Sequence, residues 1–236
     1  FYLFIFSQKK IIVCTGEYTL QGFEVPAGQW VAYERALAVP SAWLGGGQRV
    51  KIRFDGVYSN CTVLVNNRLV GGHLGGFTPF EVDITAAVGQ QPTVVLRVEL
   101  TGASLADTLA SGSRYATHDL GGIIRKVRMF AVPALNIADV YFRTLDTGNC
   151  TAAGCWATVA VNVTLANDGA SAAPASQSVQ VALMNGTATV AATKLVTAAA
   201  LPAGHMLELA DLRWTLPSIK LWDAEHPNLY QLTLTL

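Results

Sequence analysis

Four polar side chains near the middle of the sequence are the strongest candidates for binding chemistry. They are Arg114, Tyr115, His118 and Asp119. They lie at the end of a long predicted loop, residues 101–117, that is rich in small residues. Long ordered loops often carry function. A carboxylate that accepts hydroxyl hydrogen bonds is the kind of contact a polar pocket needs. We predict a substrate-binding role for these residues. In the alternative interpretation, Asp119 caps a turn and His118 is solvated.

The carboxylates of the chain show no catalytic pairing. Acid–base catalysis by two carboxyl groups needs both within reach of the reacting atoms. The glutamates are scattered over predicted strands and turns, at Glu17, Glu24, Glu34, Glu81, Glu99, Glu208 and Glu225. No Cys-x-x-Cys or Cys/His spacing indicates zinc. We therefore predict no catalytic residue, no metal ligand and no cofactor in this chain.

Four Asn-x-Thr sequons are candidate glycosylation sites. They lie at Asn60, Asn149, Asn162 and Asn185, near predicted strand ends or turns. This number of sequons, together with four cysteines, is typical of a eukaryotic secretory protein. We therefore expect a secreted or cell-surface glycoprotein with at least two sequons occupied.

The cysteines allow one short loop to be closed. Cys150 and Cys155 flank the sequence Thr-Ala-Ala-Gly and are predicted to form a disulfide. Cys14 and Cys61 would then pair with each other or stay free. Four cysteines allow three pairings, and the sequence does not choose among them.

Composition limits the class of protein. The chain has 236 residues, of which 51% are hydrophobic and 14% charged, with zero formal net charge. This length suits two domains with separate cores. Neutrality argues against a nucleic-acid partner, and no apolar run reaches the ~18 residues of a membrane span. The apolar residues 1–13 are interpreted as a first strand or the remnant of a signal peptide.

The stretch from residue 49 to 85 has the pattern of an antiparallel meander. Its first strand alternates apolar and charged residues, with Val50, Ile52 and Phe54 on the apolar side. Thr62–Val65 and Arg68–Val70 form a predicted hairpin around Asn66-Asn67, because asparagine tolerates the positive φ angles of a type I′ turn. Val63 and Val65 should then face the opposite side from Leu64.

Several motifs resemble glycoside hydrolase family 2, which contains β-galactosidases, β-glucuronidases and β-mannosidases. FDGV at 54–57, VLVNNRLVG at 63–71 and HLGGFTPFEVDIT at 73–85 are similar to its amino-terminal sugar-binding domain. GIIRKV at 122–127 and LWDAEHPNLY at 221–230 resemble the ends of its first and second domains. Asn67 departs from the glycine that is usual in the family.

The carboxyl-terminal half has a different pattern. Six or seven short predicted strands between residues 137 and 236 are separated by turn signals such as Asn185-Gly186, without an amphipathic helix. This spacing is typical of an immunoglobulin-like sandwich. We predict an all-β chain, with a jelly-roll-like sugar-binding domain at 1–134 and an immunoglobulin-like β-sandwich at 135–236.

The resemblance also bears on individual side chains. Asp119 loosely matches an acidic residue that reaches the sugar pocket in the family. His73, Phe77 and Phe80 surround paired glycines, where a ring can stack on a sugar, but we favour core packing for them. Asp55 is predicted to be a structural hydrogen-bonding residue.

The family's two catalytic glutamates come from a (β/α)₈ barrel that follows the second domain, and retaining glycosidases need both. The resemblance therefore implies the non-catalytic amino-terminal portion of a β-galactosidase-like hydrolase. This portion would shape a carbohydrate site and position the barrel, and its partners would be carbohydrate and the barrel or other subunits. The alternative is a stand-alone glycan-binding or structural module of a secreted or surface assembly.

Overall fold

The protein is built almost wholly of antiparallel strands. The computed structural model describes residues 2–5, 16–18, 20–26, 28–45, 47–110, 121–151 and 154–236. The chain divides into two compact units, Phe1–Pro133 (unit 1) and Ala134–Leu236 (unit 2). The prediction of an all-β fold is confirmed.

The strands of unit 1 form two facing sheets and a short additional pair. They are β1 (Tyr2–Ile5), β2 (Gly16–Glu17), β3 (Val31–Ala38), β4 (Gln48–Phe54), β5 (Asn60–Val65), β6 (Arg68–Leu74), β7 (Phe80–Asp83), β8 (Thr93–Thr101), β9 (Gly122–Ile123) and β10 (Val127–Pro133). One sheet has the order β1-β3-β8-β5-β6 and another β10-β4-β7, while β2 pairs with β9. Side chains from both larger sheets share one buried core, which makes the unit a β-sandwich.

The central hairpin is formed as predicted. Asn66 and Asn67 have φ angles of 51° and 63°, so both turn positions are left-handed. The Asn66 side chain also accepts a hydrogen bond from the Val95 amide at 2.8 Å, which ties the turn to β8. Val63 and Val65 are fully buried and Leu64 is half-buried, which confirms their predicted opposite orientation.

The predicted loop from residue 101 to 117 contains a helix that the sequence interpretation missed. Helix α2 spans Leu105–Ala110, after the four-residue helix α1 at Thr85–Val88. The Thr108 amide and hydroxyl both donate to the Ser104 carbonyl, at 3.0 and 3.1 Å. Four of its six residues are leucine or alanine, which favour helix. The small and polar residues around them are typical of a loop, which is why the sequence predicts one.

Unit 2 is a second sandwich of two three-stranded sheets. Its strands are β11 (Leu135–Thr151), β12 (Gly154–Asn167), β13 (Ser178–Asn185), β14 (Ala188–Val196), β15 (Met206–Ile219) and β16 (Gln231–Thr235). The sheets have the orders β11-β12-β15 and β14-β13-β16. Alternate residues of β12 and β13 meet in a common core with Trp214.

A buried asparagine fixes the turn that leaves β12. Asn167 is 2% exposed, and its side-chain amide donates to the carbonyls of Ser171 and Leu201 at 2.8 and 2.9 Å. Its oxygen accepts from the Gly169 amide at 3.1 Å. A buried polar group is tolerated when its hydrogen bonds are satisfied, so this side chain holds two loop segments of unit 2 together.

Candidate functional site

The predicted substrate-binding residues lie in a segment of unit 1 whose flanking residues are held by hydrogen bonds to the same part of the fold. Arg114, Tyr115, His118 and Asp119 fall within residues 111–120, outside the described residues. The residues on either side of this segment are described. They show how the fold holds the positions where the segment leaves and rejoins unit 1.

The returning end is held by backbone pairing around Gly121 and Gly122. The Tyr18 amide donates to the Gly121 carbonyl at 3.0 Å, and β9 pairs with β2 directly afterwards. The Tyr58 amide donates to the Gly122 carbonyl at 2.9 Å, and the Gly122 amide donates back at 3.3 Å. The hydroxyl of Tyr33 donates to the Gly16 carbonyl at 3.0 Å, which fixes β2 from the core side.

On the departing side, the chain ahead of helix α2 is held by Ser59, the residue that follows Tyr58. Ser59 is fully buried, and its amide donates to the Thr101 carbonyl at 3.0 Å. Its hydroxyl donates to the Gly102 carbonyl at 2.8 Å and lies 2.5 Å from the Ser104 hydroxyl. Two consecutive residues, Tyr58 and Ser59, therefore hold the chain at residues 101–104, ahead of α2, and at Gly122, after the candidate binding segment. The peptide bond between them is cis.

Close glycine packing surrounds this anchor. Gly76 lies against the Tyr58 ring and Gly121 lies against the Tyr18 ring, so that a β-carbon at either glycine would overlap the ring. The Arg125 amide donates to the Gly56 carbonyl at 3.3 Å. Backbone at Gly76 and Gly121 thus packs directly against tyrosine rings, which gives this part of unit 1 a closely packed base.

The aromatic residues near the paired glycines have two different roles. Phe54, Phe80 and His73 form a stack with ring centroids 4.9 and 4.5 Å apart, as expected for packing side chains. Phe77 is 50% exposed and meets the Tyr58 ring edge-on at 5.4 Å. Arg125 donates to the Phe77 carbonyl at 3.3 Å. Phe77 is therefore an exposed ring beside the anchor, and the preference for core packing does not hold for it.

Charged side chains on β4 and its neighbours form an ion-pair network. Asp55 accepts from Arg53 at 3.0 Å and from Arg128 at 2.9 Å, consistent with the structural role predicted for it. Arg53 also pairs with Glu81 at 3.1 Å, and hydrogen bonds to Glu81 and Asp55 raise the pKa of its guanidinium. Within the described ranges, no three His, Cys, Asp or Glu side chains are grouped closely enough to hold a metal ion.

The predicted glycosylation sites have different surroundings. Asn185 is exposed at the end of β13, whereas Asn60 is half-buried at the start of β5, between β6 and β8. Asn149 lies in β11, and its side chain is outside the described part. Asn162 lies in the middle of β12 rather than near a strand end, because β12 extends through residue 167.

The structure joins Cys150 and Cys155 by a disulfide across the β11–β12 hairpin. Cys14 lies outside the described residues. Cys61 is a free, buried thiol that is 2% exposed.

Burial raises the pKa of the Cys61 thiol to about 11, from an ordinary value of 9.0, and a backbone hydrogen bond at His73 opposes part of the shift. The thiol stays protonated in the folded state at pH 8, and iodoacetamide should leave it unlabelled because the thiolate is the nucleophile. The unfolded state ionises this thiol at a lower pH than the folded state does. The free energy of unfolding should therefore fall as the pH rises from about 9 towards 11.

Peptide mass spectrometry after alkylation checks this expectation, because it reports the labelling of Cys61 and the labelling of Cys14 separately. The same reaction in denaturant is the positive control. Complete labelling of Cys61 in the native protein at pH 8 would contradict the buried, protonated thiol.

Unit 2 contains an apolar cavity of about 360 Å³. Side chains of β11, β16 and the segment after β15 line it, including Phe142, Leu221, Trp222, Leu229 and Leu232. Trp222 is 62% exposed and Leu229 is 79% exposed. Large apolar side chains exposed together around a cavity are typical of a surface that another molecule covers.

Two family models match this sequence, and together they cover nearly all of it. The one described as "Glycosyl hydrolases family 2, sugar binding domain" matches residues 12–133, and the one described as "Glycosyl hydrolases family 2" matches residues 136–236. None of the helices in the described ranges is both long and apolar enough to cross a membrane.

Individual relatives agree with these matches. A β-galactosidase of Aeromonas hydrophila is 29% identical over 220 residues, which are 90% of this chain and 19% of that protein. A β-galactosidase of Thermoanaerobacter pseudethanolicus is 36% identical over 98 residues, 41% of this chain and 13% of that protein. The chain spans less than a quarter of the length of the curated relatives that it matches over most of its sequence.

A solved structure shares the fold. The β-glucuronidase of Bifidobacterium dentium, complexed with coumarin-3-O-glucuronide, superposes with a TM-score of 0.71 at 24% identity. The superposition covers 96% of this chain and 40% of that protein.

Proposed function

Since this chain belongs to glycoside hydrolase family 2, we propose that it is the non-catalytic amino-terminal portion of a β-galactosidase- or β-glucuronidase-like enzyme. Unit 1 contributes to the rim of the carbohydrate site. Unit 2 positions a catalytic barrel, supplied by another part of the polypeptide or by a partner subunit. The ligand is a carbohydrate.

The anchoring at Tyr58 and Ser59 is the observation that best supports this role for unit 1. A loop that contacts a ligand must present its side chains from a fixed base, because ordering it at binding would cost conformational entropy. Hydrogen bonds from these two residues hold the chain at Thr101 and Gly102, ahead of α2, and at Gly122, just after the segment containing Asp119. The exposed Phe77 ring beside this base adds an apolar face of the kind on which sugars stack.

The apolar cavity supports the role proposed for unit 2. Its rim exposes Trp222 and Leu229, and the lining is mainly aliphatic and aromatic. Covering such a surface with another domain would remove apolar area from water, which is favourable by roughly 25 cal/mol per Å². A barrel docked here would be held in a fixed position relative to unit 2.

The isolated chain should not hydrolyse aryl β-glycosides, because the predicted catalytic carboxylates lie on the barrel. The measurement is release of 4-nitrophenol from the β-D-galactoside and the β-D-glucuronide at high protein concentration. The matched control is the full-length polypeptide that contains this chain. Turnover that persists through purification of the isolated chain, and disappears on replacing one of its own glutamates, would refute the proposal.

Replacing Asp119 with asparagine in the full-length polypeptide should lower kcat/KM by about 10–150-fold. A hydrogen bond to a charged group contributes about 1.5–3 kcal/mol, which corresponds to that range. The matched control is Asp139→Asn, a change at an exposed position of β11 in unit 2 that should leave kcat/KM unchanged.

The outcome also separates the two functional interpretations. Equal activity of the Asp119 and Asp139 variants would remove Asp119 from the sugar site. A full-length polypeptide without hydrolytic activity, but with glycan binding, would favour the stand-alone module instead.

A further inference from the structure

The sequons whose side chains the structure describes are not equivalent. Asparagine-linked glycosylation requires the side-chain amide to enter the transferase, and the product must leave room for a bulky sugar at the surface. Asn162 is half-buried and Asn185 is exposed, and both side chains are described.

The side chain of Asn162 is part of the sheet structure. Its amide nitrogen donates to the Glu208 carboxylate at 2.7 Å, and its oxygen accepts from the Asp211 amide at 3.0 Å. Both partners are on β15, next to an irregularity in the β12–β15 pairing at Val161/Val163. Asp211 has a φ of 64°, which is uncommon outside glycine. Asn162 therefore stabilises a bulge in β15 with both ends of its amide.

The position of Asn162 in the sheet adds to this constraint. It lies in β12, which has β11 on one side and β15 on the other. Tyr141 is its direct neighbour across β11. A glycan on this amide would sit among side chains of three strands and displace the contacts that hold the bulge.

Asn185 has the opposite surroundings. It is the last residue of β13 and is exposed, and the two following turn residues, Gly186 and Thr187, are exposed as well. Gly186 has a φ of 58° and open space where a β-carbon would stand. Among the described residues, no hydrogen bond engages the Asn185 side chain. The whole Asn-Gly-Thr sequon projects at the tip of a hairpin.

We infer that Asn185 is an N-glycan acceptor of this chain in a secretory pathway and that Asn162 is not. In the transfer, the Asn185 amide nitrogen forms a bond to the anomeric carbon of a lipid-pyrophosphate-linked oligosaccharide. The bond from that carbon to the pyrophosphate oxygen breaks, the amide loses one proton, and the lipid pyrophosphate leaves. The inference does not depend on the proposed glycosidase role.

The test is expression of the chain in a eukaryotic secretory host, followed by site-resolved mass spectrometry of the folded, secreted protein. Enzymatic deglycosylation in heavy-oxygen water marks each occupied asparagine, and a parallel sample without the enzyme corrects for spontaneous deamidation at Asn185-Gly186. We expect the mark at Asn185 and none at Asn162. An unmarked Asn185, or a marked Asn162, would overturn the inference.

Matched variants separate glycosylation from folding. Thr187→Ala should remove one glycan, and Thr164→Ala should remove none, because it eliminates the Asn162 sequon without touching that amide. Asn162→Gln should also leave the glycan number unchanged but lower the Tm, since a longer side chain misplaces both hydrogen bonds to β15. If Asn162→Gln is not secreted, Thr164→Ala still decides: a lost glycan in that variant contradicts the inference.

Discussion

Replacing Gly122 with alanine is expected to lower the free energy of unfolding of unit 1 by about 3–5 kcal/mol. Gly122 has a φ of +128°, a conformation that side-chain-bearing residues rarely adopt. A β-carbon there would lie 2.5 Å from the Tyr33 hydroxyl and 2.6 Å from the Gly16 carbonyl oxygen. Backbone strain costs about 1–3 kcal/mol and overpacking about as much again, and the change also separates β2 from β9.

Gly186→Ala is the matched control for this variant. Gly186 also has a positive φ, of 58°, but no atom lies within 4 Å of the position of a β-carbon. Its replacement should cost only the left-handed backbone penalty of about 1–2 kcal/mol. Urea unfolding measures the loss of stability in each variant. Hydrogen exchange of peptides from unit 1 and unit 2 assigns that loss to one unit. Equal losses of stability would show that close packing at Gly122 does not constrain the anchor.

Replacing Val63 with asparagine is the second change with a large expected effect. Val63 is fully buried between Val98 of β8 and Gly71 of β6. Losing the buried apolar side chain costs about 1.5–3 kcal/mol, and an unpaired buried amide adds about 1–3 kcal/mol. We therefore expect a loss of about 3–5 kcal/mol in unit 1.

Leu64→Asn tests the same change on the other face of the strand. Leu64 is half-buried, so the amide of an asparagine at this position can reach water. The free energy of unfolding should therefore fall by less than about 1.5 kcal/mol. Thermal or urea unfolding of the two variants gives the comparison. A larger loss at Leu64 than at Val63 would mean that the inward face of β5 has been assigned wrongly.

Local patterns in the sequence were sufficient to predict most of the fold. Alternation with period two depends on neighbouring residues and a solvated face, so β4 and β5 could be assigned directly. The Asn66-Asn67 turn needs only the φ preference of asparagine. Cys150 and Cys155 are close in sequence, and their pairing closes a short loop.

The features that depend on distant residues could not be predicted in this way. The Ser59 hydroxyl contacts Gly102 and Ser104, and both residues are far from Ser59 in the sequence. The Asn162 amide is similarly engaged by Glu208 and Asp211. A sequon is a three-residue pattern and carries no information about such partners, which explains why Asn162 and Asn185 are equal candidates in the sequence and unequal in the structure.

Tyr58 and Ser59 hold the chain at Thr101 and Gly102 and at Gly122, which affects how the stretch between these points can vary. Because its ends are fixed next to each other, a change of length inside it leaves the sheets and their hydrogen bonds intact. The chain entropy lost on closing a loop grows only logarithmically, and doubling the length costs about 0.6 kcal/mol. Insertions between α2 and Gly121 should therefore cost little stability, so that this stretch can change in length and sequence while the sheets of unit 1 stay the same.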